Sequence, residues 1–382
     1  MPLWQFSRKL SMGDTTTGIL KRINKQQFAV RTAERSYRSG PVEVMVQHEL
    51  VERYALAEGA SVVGQVERKK GKLRLTSIES LGGLKPEAFA ERPHFSDLVA
   101  VDPHERFHLG SCGLESMRIV DLISPIGKGT RQLIVSPPKA GKTVLLEHIV
   151  LGIKSDSPET RVIVLLVDER PEEVTHFRRS VKGAEVVAST SDNTVDQHVE
   201  LAELMLAHVQ IELECGREVV LMIDSLTRMG RSFNNRTRQG GRRGHTMSGG
   251  LEAGILEVPR RLFGLARNAE NGGSVTIIAT CLIDTGSRMD QLIFEEFKGT
   301  GNSEVVLDRA LAEARIYPAI DIPASGTRKE AKLYSESQIQ GLATLRRVLS
   351  NYGPKEAMDS LFRLLRKYPT NEEFLESMYS GS

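Results

Sequence analysis

One eight-residue segment constrains the fold of this 382-residue chain more than any other. It runs from Ser136 to Thr143 and reads Ser-Pro-Pro-Lys-Ala-Gly-Lys-Thr. The apolar run 132–135 precedes it and a run with helical spacing, 144–150, follows it, which predicts a strand, a short loop and the start of a helix. Backbone N–H groups at the start of a helix have no intrahelical partner and bind anions, so this order is typical of a phosphate-binding loop.

The last three residues of this loop suit nucleotide chemistry. Gly141 allows close approach of the backbone, Lys142 can reach the β- and γ-phosphates of ATP, and the Thr143 hydroxyl can ligate Mg²⁺. The first position of the usual G-x-x-x-x-G-K-[ST] pattern holds Ser136 instead of glycine. An ordinary Gly-Lys turn at a helix N-terminus is the alternative interpretation.

The composition is that expected of a soluble globular protein, with 40% hydrophobic and 26% charged residues. The net charge is only +2, so a site for a polyanion must come from local clustering of cations. The three cysteines, at 112, 215 and 281, lack metal-ligand spacing and indicate buried thiols in a reducing compartment. With neither a membrane-length apolar run nor a signal-peptide pattern in the sequence, we expect a cytoplasmic protein without a membrane partner.

The first part of the chain indicates a small β-barrel. After a short segment, 1–13, region 14–82 contains five short runs with strand character, several of which alternate at period two, at 18–23, 28–31, 42–46, 61–67 and 73–78. An oligonucleotide-binding (OB) barrel is the leading candidate for five strands in so short a region. Region 83–110 shows little periodicity and is predicted to be a linker.

The pattern changes at about residue 111, where a second domain, 111–382, is predicted. Apolar runs typical of strands buried on both faces occur at 132–135, 162–167, 219–223, 275–279 and 305–307. Helical periodicity occurs at 201–214, and the tail is predicted to be helical at 336–350 and 354–379. This is the pattern of a mostly parallel α/β nucleotide-binding domain, with its active loops at the carboxyl ends of the strands.

Carboxylates follow two of these strands. Asp224 ends the run 219–223, where phosphate-loop enzymes hold Mg²⁺ opposite the loop threonine, although an isolated aspartate there is more often a helix cap. The run 162–167 leads into four acids, of which Glu169 is placed to polarise an attacking water. Asp168, Glu172 and Glu173 compete for this role, and the last two also suit the first turn of a helix.

Three arginine-containing stretches could contact phosphate groups. Residues 230–250 are rich in glycine and arginine, so we expect a mobile loop that either contacts a polyanion or is merely solvated. The loop 284–290 presents Arg288 and could contact the same polyanion. Arg328 lies on a glycine turn and could stabilise a phosphoryl group in trans, unless it simply forms a surface salt bridge.

Together these motifs resemble the bacterial transcription termination factor Rho family, whose members are hexameric RNA-dependent ATPases. The resemblance extends from about Gly18 to the C-terminus and is densest in the blocks 124–129, 137–143, 168–175, 224–228, 294–302 and 318–321. It implies a ring-forming α/β RecA-like P-loop core behind an OB-fold RNA-binding domain. The implied activity is 5′-to-3′ RNA translocation driven by ATP hydrolysis, which releases nascent RNA from RNA polymerase.

The resemblance also implies a role for individual residues. Catalytic roles fall to Lys142, Glu169 as the base, Arg170 beside the γ-phosphate, and Arg328 as the finger. ATP would be bound by Arg170 and by the loop residues Pro138, Lys139, Ala140, Gly141, Lys142, Thr143 and Val144, with Mg²⁺ held by Thr143 and Asp224. Subunit contacts fall to Arg315 and Arg328. RNA contacts fall to Phe28, Arg242, Arg243, His245, Ser287 and Arg288. The implied partners are RNA, RNA polymerase and elongation factors, and identical subunits in a homohexamer.

Three features depart from the family pattern. The family's N-terminal helical segment is absent or reduced to about a dozen residues. The barrel lacks the paired aromatic residues that stack on bases, because only Phe28 stands at that position within 26–30. The 234–250 loop is longer and richer in arginine, with His245 where the pattern has lysine, and Arg288 replaces a further lysine.

Two other functions compete with an RNA-driven motor. A rotary-type ATPase subunit would share the core and the ring, but the arginines of 230–243 argue against it. An RNA-binding relative without catalysis is the second alternative, and the presence of Lys142, Glu169, Asp224 and Arg328 argues against that.

Overall fold

The computed structural model describes residues 14–69, 71–239, 251–252, 254–270 and 272–380. Five strands form a closed barrel in the order β1-β2-β3-β5-β4, which confirms the predicted five-stranded barrel. They are β1 Asp14–Asn24, β2 Gln27–Arg31, β3 Val44–Val46, β4 Ser61–Lys69 and β5 Lys72–Leu81, with helix α1 His48–Arg53 between β3 and β4. Neighbouring strands are antiparallel except β3 and β5.

The barrel interior is completed from outside the barrel. Its core contains the inward side chains of the strands, such as Phe28, Leu73 and Leu75. It also contains Ile211 and Cys215, which belong to the second domain. Gly59, at a φ of +88°, approaches the same element so closely that a Cβ there would lie 2.4 Å from the carbonyl carbon of Ala207. The barrel is therefore docked tightly against one helix of the second domain.

The segment between the domains contains helix α2 Pro86–Ala90 and strand β6 Ala100–Val101. It is anchored by buried aromatic side chains, with Phe89 0% and Phe107 1% exposed. Arg92 reinforces this anchoring, because its Nε lies 3.0 Å from the Glu214 carboxylate.

The second domain is a sheet covered on both faces by helices. The strands are β7 Arg131–Ser136, β8 Arg161–Glu169, β9 Glu185–Thr190, β10 Glu218–Asp224, β11 Arg267–Ala269, β12 Ser274–Leu282, β13 Ser303–Val306 and β14 Gly326–Thr327. The order along the main path is β14-β13-β7-β12-β10-β8-β9, with β14 antiparallel and the other six strands parallel. The five predicted strands are confirmed, and β9, which the sequence prediction missed, is added at one edge.

The helices that cover the sheet are α3 Glu115–Ile123, α4 Lys142–Asp156, α5 Pro171–Ser180, α6 Val195–Glu214, α7 Leu226–Gln239, α8 Glu257–Gly264, α9 Arg288–Lys298 and α10 Arg309–Glu313. Three C-terminal helices follow, α11 Glu336–Leu349, α12 Pro354–Leu365 and α13 Asn371–Ser380. Within the described ranges, no helix is both long enough and apolar enough to cross a bilayer.

Helix α7 corrects one expectation. Residues 230–239 were predicted to belong to a mobile loop, but they form most of this 14-residue helix. Leu226, Met229 and Phe233 form an apolar stripe at helical spacing and are all buried. Arg231 is held by an ion pair with Asp290 of α9. Residues 240–250 of the same stretch lie outside the described residues.

Candidate active site

The phosphate-binding loop joins β7 to α4, as predicted. Lys139 has a φ of +64° and Gly141 a φ of +87°, so the chain turns sharply before the helix begins at Lys142. A Cβ at Gly141 would lie 3.1 Å from the ring of Tyr317, so glycine keeps this passage open. The whole loop, residues 136–143, lines a cavity of about 760 Å³. The site residues Pro138, Lys139, Ala140, Gly141, Lys142, Thr143, Val144, Glu169 and Arg170 all line this one cavity.

Lys142 contacts a carboxylate at the end of a neighbouring strand. Its Nζ lies 2.5 Å and 2.7 Å from the two carboxylate oxygens of Asp224. Asp224 is 1% exposed, and its Oδ1 also accepts a hydrogen bond of 2.8 Å from the Thr280 hydroxyl. The three residues meet because β10, β12 and β7 are adjacent parallel strands whose carboxyl ends lie at the same edge of the sheet, and Lys142 follows β7.

Glu169 lies at the end of β8, beside β10. Its side chain is 1% exposed, and Oε1 accepts from the Arg170 backbone N–H at 3.0 Å. The Arg228 guanidinium lies 2.9 Å from Oε1, whereas Oε2 is buried and has no hydrogen-bond partner within the part of the chain that the structure describes. Burial raises the pKa of this carboxyl above its ordinary value. A buried carboxylate with one free oxygen can accept a proton from water.

The structure separates Glu169 from two of its three competitors. Glu169 and Glu173 line the cavity, whereas Asp168 and Glu172 do not. Glu172 and Glu173 lie in the first turn of α5. Asp168 has a φ of +54°, and its backbone carbonyl accepts a hydrogen bond of 2.6 Å from Arg228. Arg228 therefore holds both Asp168 and Glu169, a role that the sequence prediction missed.

The donors around Lys142 fit a magnesium ion. Thr143 lies in the first turn of α4 and Asp224 contacts Lys142, so a hydroxyl and a carboxylate flank the phosphate position. Mg²⁺ prefers oxygen ligands and needs only one or two carboxylates when phosphates and waters complete its shell. The residues present therefore match the ion that the sequence predicts.

Tyr317 was also missed. It lines the cavity and is 45% exposed, and its ring faces Gly141. Val144, which is 51% exposed, lies in the same cavity. An exposed ring beside an exposed apolar side chain suits a flat aromatic base. The signal in the sequence was an aromatic residue directly before the block 318–321.

Arg328 lies at the opposite edge of the sheet from the phosphate loop. It follows β14, in which Thr327 pairs with Ser303 at the start of β13, and Ser303 pairs with Gln132 near the start of β7. The phosphate loop follows the other end of β7. At about 3.3 Å per residue, the start of this loop is about 17 Å from Gln132 along the strand. Arg328 is exposed and lines a separate cavity of about 930 Å³. Arg315, by contrast, is exposed two residues before Tyr317.

The predicted RNA contacts have different outcomes. Arg242, Arg243 and His245 lie outside the described residues. Ser287 caps α9 by accepting from the Asp290 backbone N–H, and Arg288 begins that helix with an exposed side chain. The assignment of Phe28 is corrected, because its ring is 0% exposed in the barrel core and offers no face to a base.

Comparisons with known proteins place this geometry in a family. The pattern of the ATP synthase alpha/beta family, nucleotide-binding domain, matches residues 116–327. Transcription termination factor Rho of Cereibacter sphaeroides is 44% identical over 368 residues, which cover 94% of this chain and 86% of that protein. Rho of Aquifex aeolicus is 45% identical over 368 residues, covering 94% and 84%. This chain belongs to the Rho family. A solved ATPase from the type III secretion system of pathogenic bacteria has a similar fold. Its TM-score with this chain is 0.62 and its sequence is 22% identical, and the match covers 83% of this chain and 93% of that chain.

Membership of the Rho family agrees with the site built above. The chain is a P-loop ATP-hydrolysing enzyme with a RecA-like core and an N-terminal barrel. The comparisons support the function of a Rho transcription termination factor.

Proposed function

We propose that this Rho-family chain is an RNA-dependent ATPase that moves 5′ to 3′ along RNA and releases the nascent transcript from RNA polymerase. The observation that carries the proposal is the buried Glu169, whose Oε2 is unpartnered among the described residues, in the cavity that also holds the phosphate loop. The proposed place of action is the cytoplasm, where nascent RNA is made and elongation factors are further partners.

In the proposed reaction, Lys142 and the N–H groups at the start of α4 bind the ATP phosphates. Glu169 takes the proton of the attacking water, while Arg228 and the Arg170 N–H keep its Oε1 fixed. The exposed Arg170 stabilises charge at the γ-phosphate, and Tyr317 stacks on the adenine. Mg²⁺ bound by Thr143 and Asp224 would neutralise charge on the β- and γ-phosphates.

The position of Arg328 supports a shared active site. An arginine at the far edge of the sheet does not reach the phosphate loop of its own chain, but a second copy could receive it. Such a contact joins two different surfaces of neighbouring subunits. When it is repeated from subunit to subunit, it can generate a closed ring. We therefore propose a homohexamer in which Arg328, and Arg315 on the other side of the interface, complete the site between neighbours.

The RNA loops are connected to the nucleotide site by one helix. Helix α7 begins two residues after Asp224 and ends at Gln239, directly before the arginine-rich residues that include Arg242, Arg243 and His245. Its Arg231 pairs with Asp290 of α9, the helix that begins with Ser287 as cap and Arg288. A change at Asp224 on nucleotide binding would therefore move both proposed RNA contacts together.

The test is steady-state ATP hydrolysis without nucleic acid, with cytosine-rich RNA and with DNA of the same sequence. The parent chain is compared with Lys142→Ala and with Lys182→Ala, a control at an exposed lysine away from the site. We expect RNA-specific stimulation in the parent and in the control, and none in Lys142→Ala. Hydrolysis indifferent to RNA would overturn the motor and favour a ring ATPase of another kind. RNA binding without any hydrolysis would favour a non-catalytic relative.

A further inference from the structure

The turn that carries Arg328 is tied to the segment between the two domains by one carboxylate. Asp102 directly follows β6 in that segment. Its two carboxylate oxygens accept hydrogen bonds of 3.0 Å and 2.9 Å from the Lys329 ammonium, and one of them accepts a further bond of 2.7 Å from the Lys332 ammonium. Hydrogen bonds from Lys332 and Lys329 hold the pKa of the Asp102 carboxyl below its ordinary value. Asp102 therefore binds two cations that closely follow Arg328 in the chain.

The backbone directly after Arg328 is strained. Lys329 has a φ of +55°, in the left-handed region that residues with a Cβ rarely adopt. Such conformations persist only where the surrounding contacts fix them, and they are frequent at functional sites. Within the described ranges, Asp102 is the only hydrogen-bond partner of the Lys329 side chain. On the other side of the turn, the Arg328 N–H donates to the Asn302 carbonyl at 2.8 Å. Both ends of the turn are thus held.

Asp102 is itself fixed to the sheet of the second domain. The strand β6 pairs with β11, where Val101 is opposite Asn268, and β11 pairs with β12. Because Asp102 is the next residue after Val101, its backbone has a defined position at the edge of this sheet. A contact from such a rigid element fixes its partner more precisely than a contact from a loop. The segment between the domains therefore supports the turn of Arg328.

The side chain of Arg328 remains free because the acids of its own turn and of the neighbouring segment are bound elsewhere. Glu330 forms a two-oxygen ion pair with Arg346 of α11. Asp102 is occupied by the two lysines. In the part of the chain that the structure describes, Arg328 forms neither an ion pair nor a side-chain hydrogen bond. Its charge is therefore available to a group outside this chain.

We propose that Asp102 is a positioning residue for Arg328, which it holds in the geometry that reaches the ATP of a neighbouring subunit. This inference rests on the proposed function and adds a residue to its shared site. An arginine that stabilises the transferring phosphoryl group acts in the transition state, so its displacement lowers kcat rather than the affinity for ATP. Exposed ion pairs are weak, so loss of the Asp102 carboxylate should lower kcat about 3- to 10-fold.

The test compares Asp102→Asn and Asp102→Glu with the parent in the full chain. The matched control is Asp97→Asn, at an exposed aspartate of the same segment that forms no ion pair with any described residue. RNA-stimulated hydrolysis gives kcat and KM for ATP, and Tm is recorded for each variant. We expect Asp102→Asn to lower kcat about 3- to 10-fold with KM unchanged. Asp102→Glu keeps the carboxylate and should retain most of kcat, and the control should match the parent.

The same substitution in an Arg328→Ala background separates positioning from a merely structural role. Asp102→Asn should lower kcat no further there, because the residue that it positions is missing. An equal additional loss in that background would overturn the inference, as would an unchanged kcat in Asp102→Asn alone or a loss in Asp102→Glu as large as that in Asp102→Asn. If Arg328→Ala retains full hydrolysis, the proposed shared site fails and this inference with it. If Arg328→Ala loses hydrolysis while Asp102→Asn does not, the shared site stands and only this inference fails.

Discussion

Lys142 and Asp224 form a two-oxygen ion pair in the position where the phosphate groups of a nucleotide would bind. The Nζ atom lies 2.5 Å and 2.7 Å from the carboxylate oxygens, and the carboxylate is 1% exposed. Each charge therefore compensates the other before nucleotide arrives, which lowers the cost of burying either one. Binding of ATP requires Lys142 to exchange this carboxylate for phosphate oxygens.

Replacing Asp224 by asparagine should separate binding from hydrolysis. Asp224→Asn keeps an acceptor for the Thr280 hydroxyl but removes the charge that pairs with Lys142 and that is proposed to ligate Mg²⁺. We expect hydrolysis to fall about 100-fold or more. Binding of ADP in EDTA should be retained or tightened, because Lys142 is no longer neutralised. The control is Asp359→Asn, at a C-terminal position, and weaker ADP binding in EDTA would contradict this account.

The pH dependence of hydrolysis should report Glu169. Its deprotonated form is the proposed base, and burial holds its pKa above the ordinary value. Hydrolysis should therefore decline on acidification at a pH above the usual range of a glutamate. Because the folded pKa exceeds the unfolded one, protonation at this site favours the folded state, so this decline should occur without unfolding.

The matching variant is Glu169→Gln. It should lower kcat by about 100- to 10,000-fold and remove the acidic limb of the profile, while ATP binding stays. The measurement is kcat against pH, with circular dichroism recorded at each pH. If the acidic limb persists in Glu169→Gln, the loss of hydrolysis at low pH is caused by the protonation of another group.

Arg328 should act on the neighbouring subunit. We expect Arg328→Ala to lower hydrolysis about 1,000-fold with ATP binding retained. Mixing this variant with Lys142→Ala should restore part of the activity, because some sites then pair an intact Lys142 with an intact Arg328 from the next chain. Mixtures no more active than the separate variants would place Arg328 outside a shared site.

Gly59 should be sensitive to the smallest substitution. Gly59→Ala combines a φ of +88° with a Cβ placed 2.4 Å from the carbonyl carbon of Ala207, so strain and overlap together should cost about 2–5 kcal/mol. Gly216→Ala is the matched control, because its φ is +74° but nothing lies within 4 Å of the added Cβ. It should cost about 1–2 kcal/mol. Equal losses of Tm in the two variants would show that the tight docking of the barrel against α6 does not contribute to the stability of the fold.

Much of the catalytic centre was predictable from local sequence. The runs before Ser136, Asp168 and Asp224 are apolar on both faces, which indicates buried parallel strands, and the carboxyl ends of such strands meet at one edge. Lys142, Glu169 and Asp224 could therefore be placed together without coordinates.

Other features depended on contacts that local patterns do not encode. Arg228 reaches Glu169 across 59 positions of sequence, and only the packing of α7 beside β8 brings them together. Phe28 was assigned from its position in the family pattern, but β2 is buried at four consecutive positions, so that position does not present the ring to solvent. The extent of α7 was underestimated because its many arginines and glycine concealed a narrow apolar stripe.

The side chains of Ile211 and Cys215 fill the barrel from outside it. A fragment that ends at residue 82 would therefore open part of its own interior to water, and a barrel from another protein would meet a helix shaped for a different partner. The barrel and α6 thus share one hydrophobic core. Recombination or domain exchange that separates the two would have to replace both sides of the contact at once.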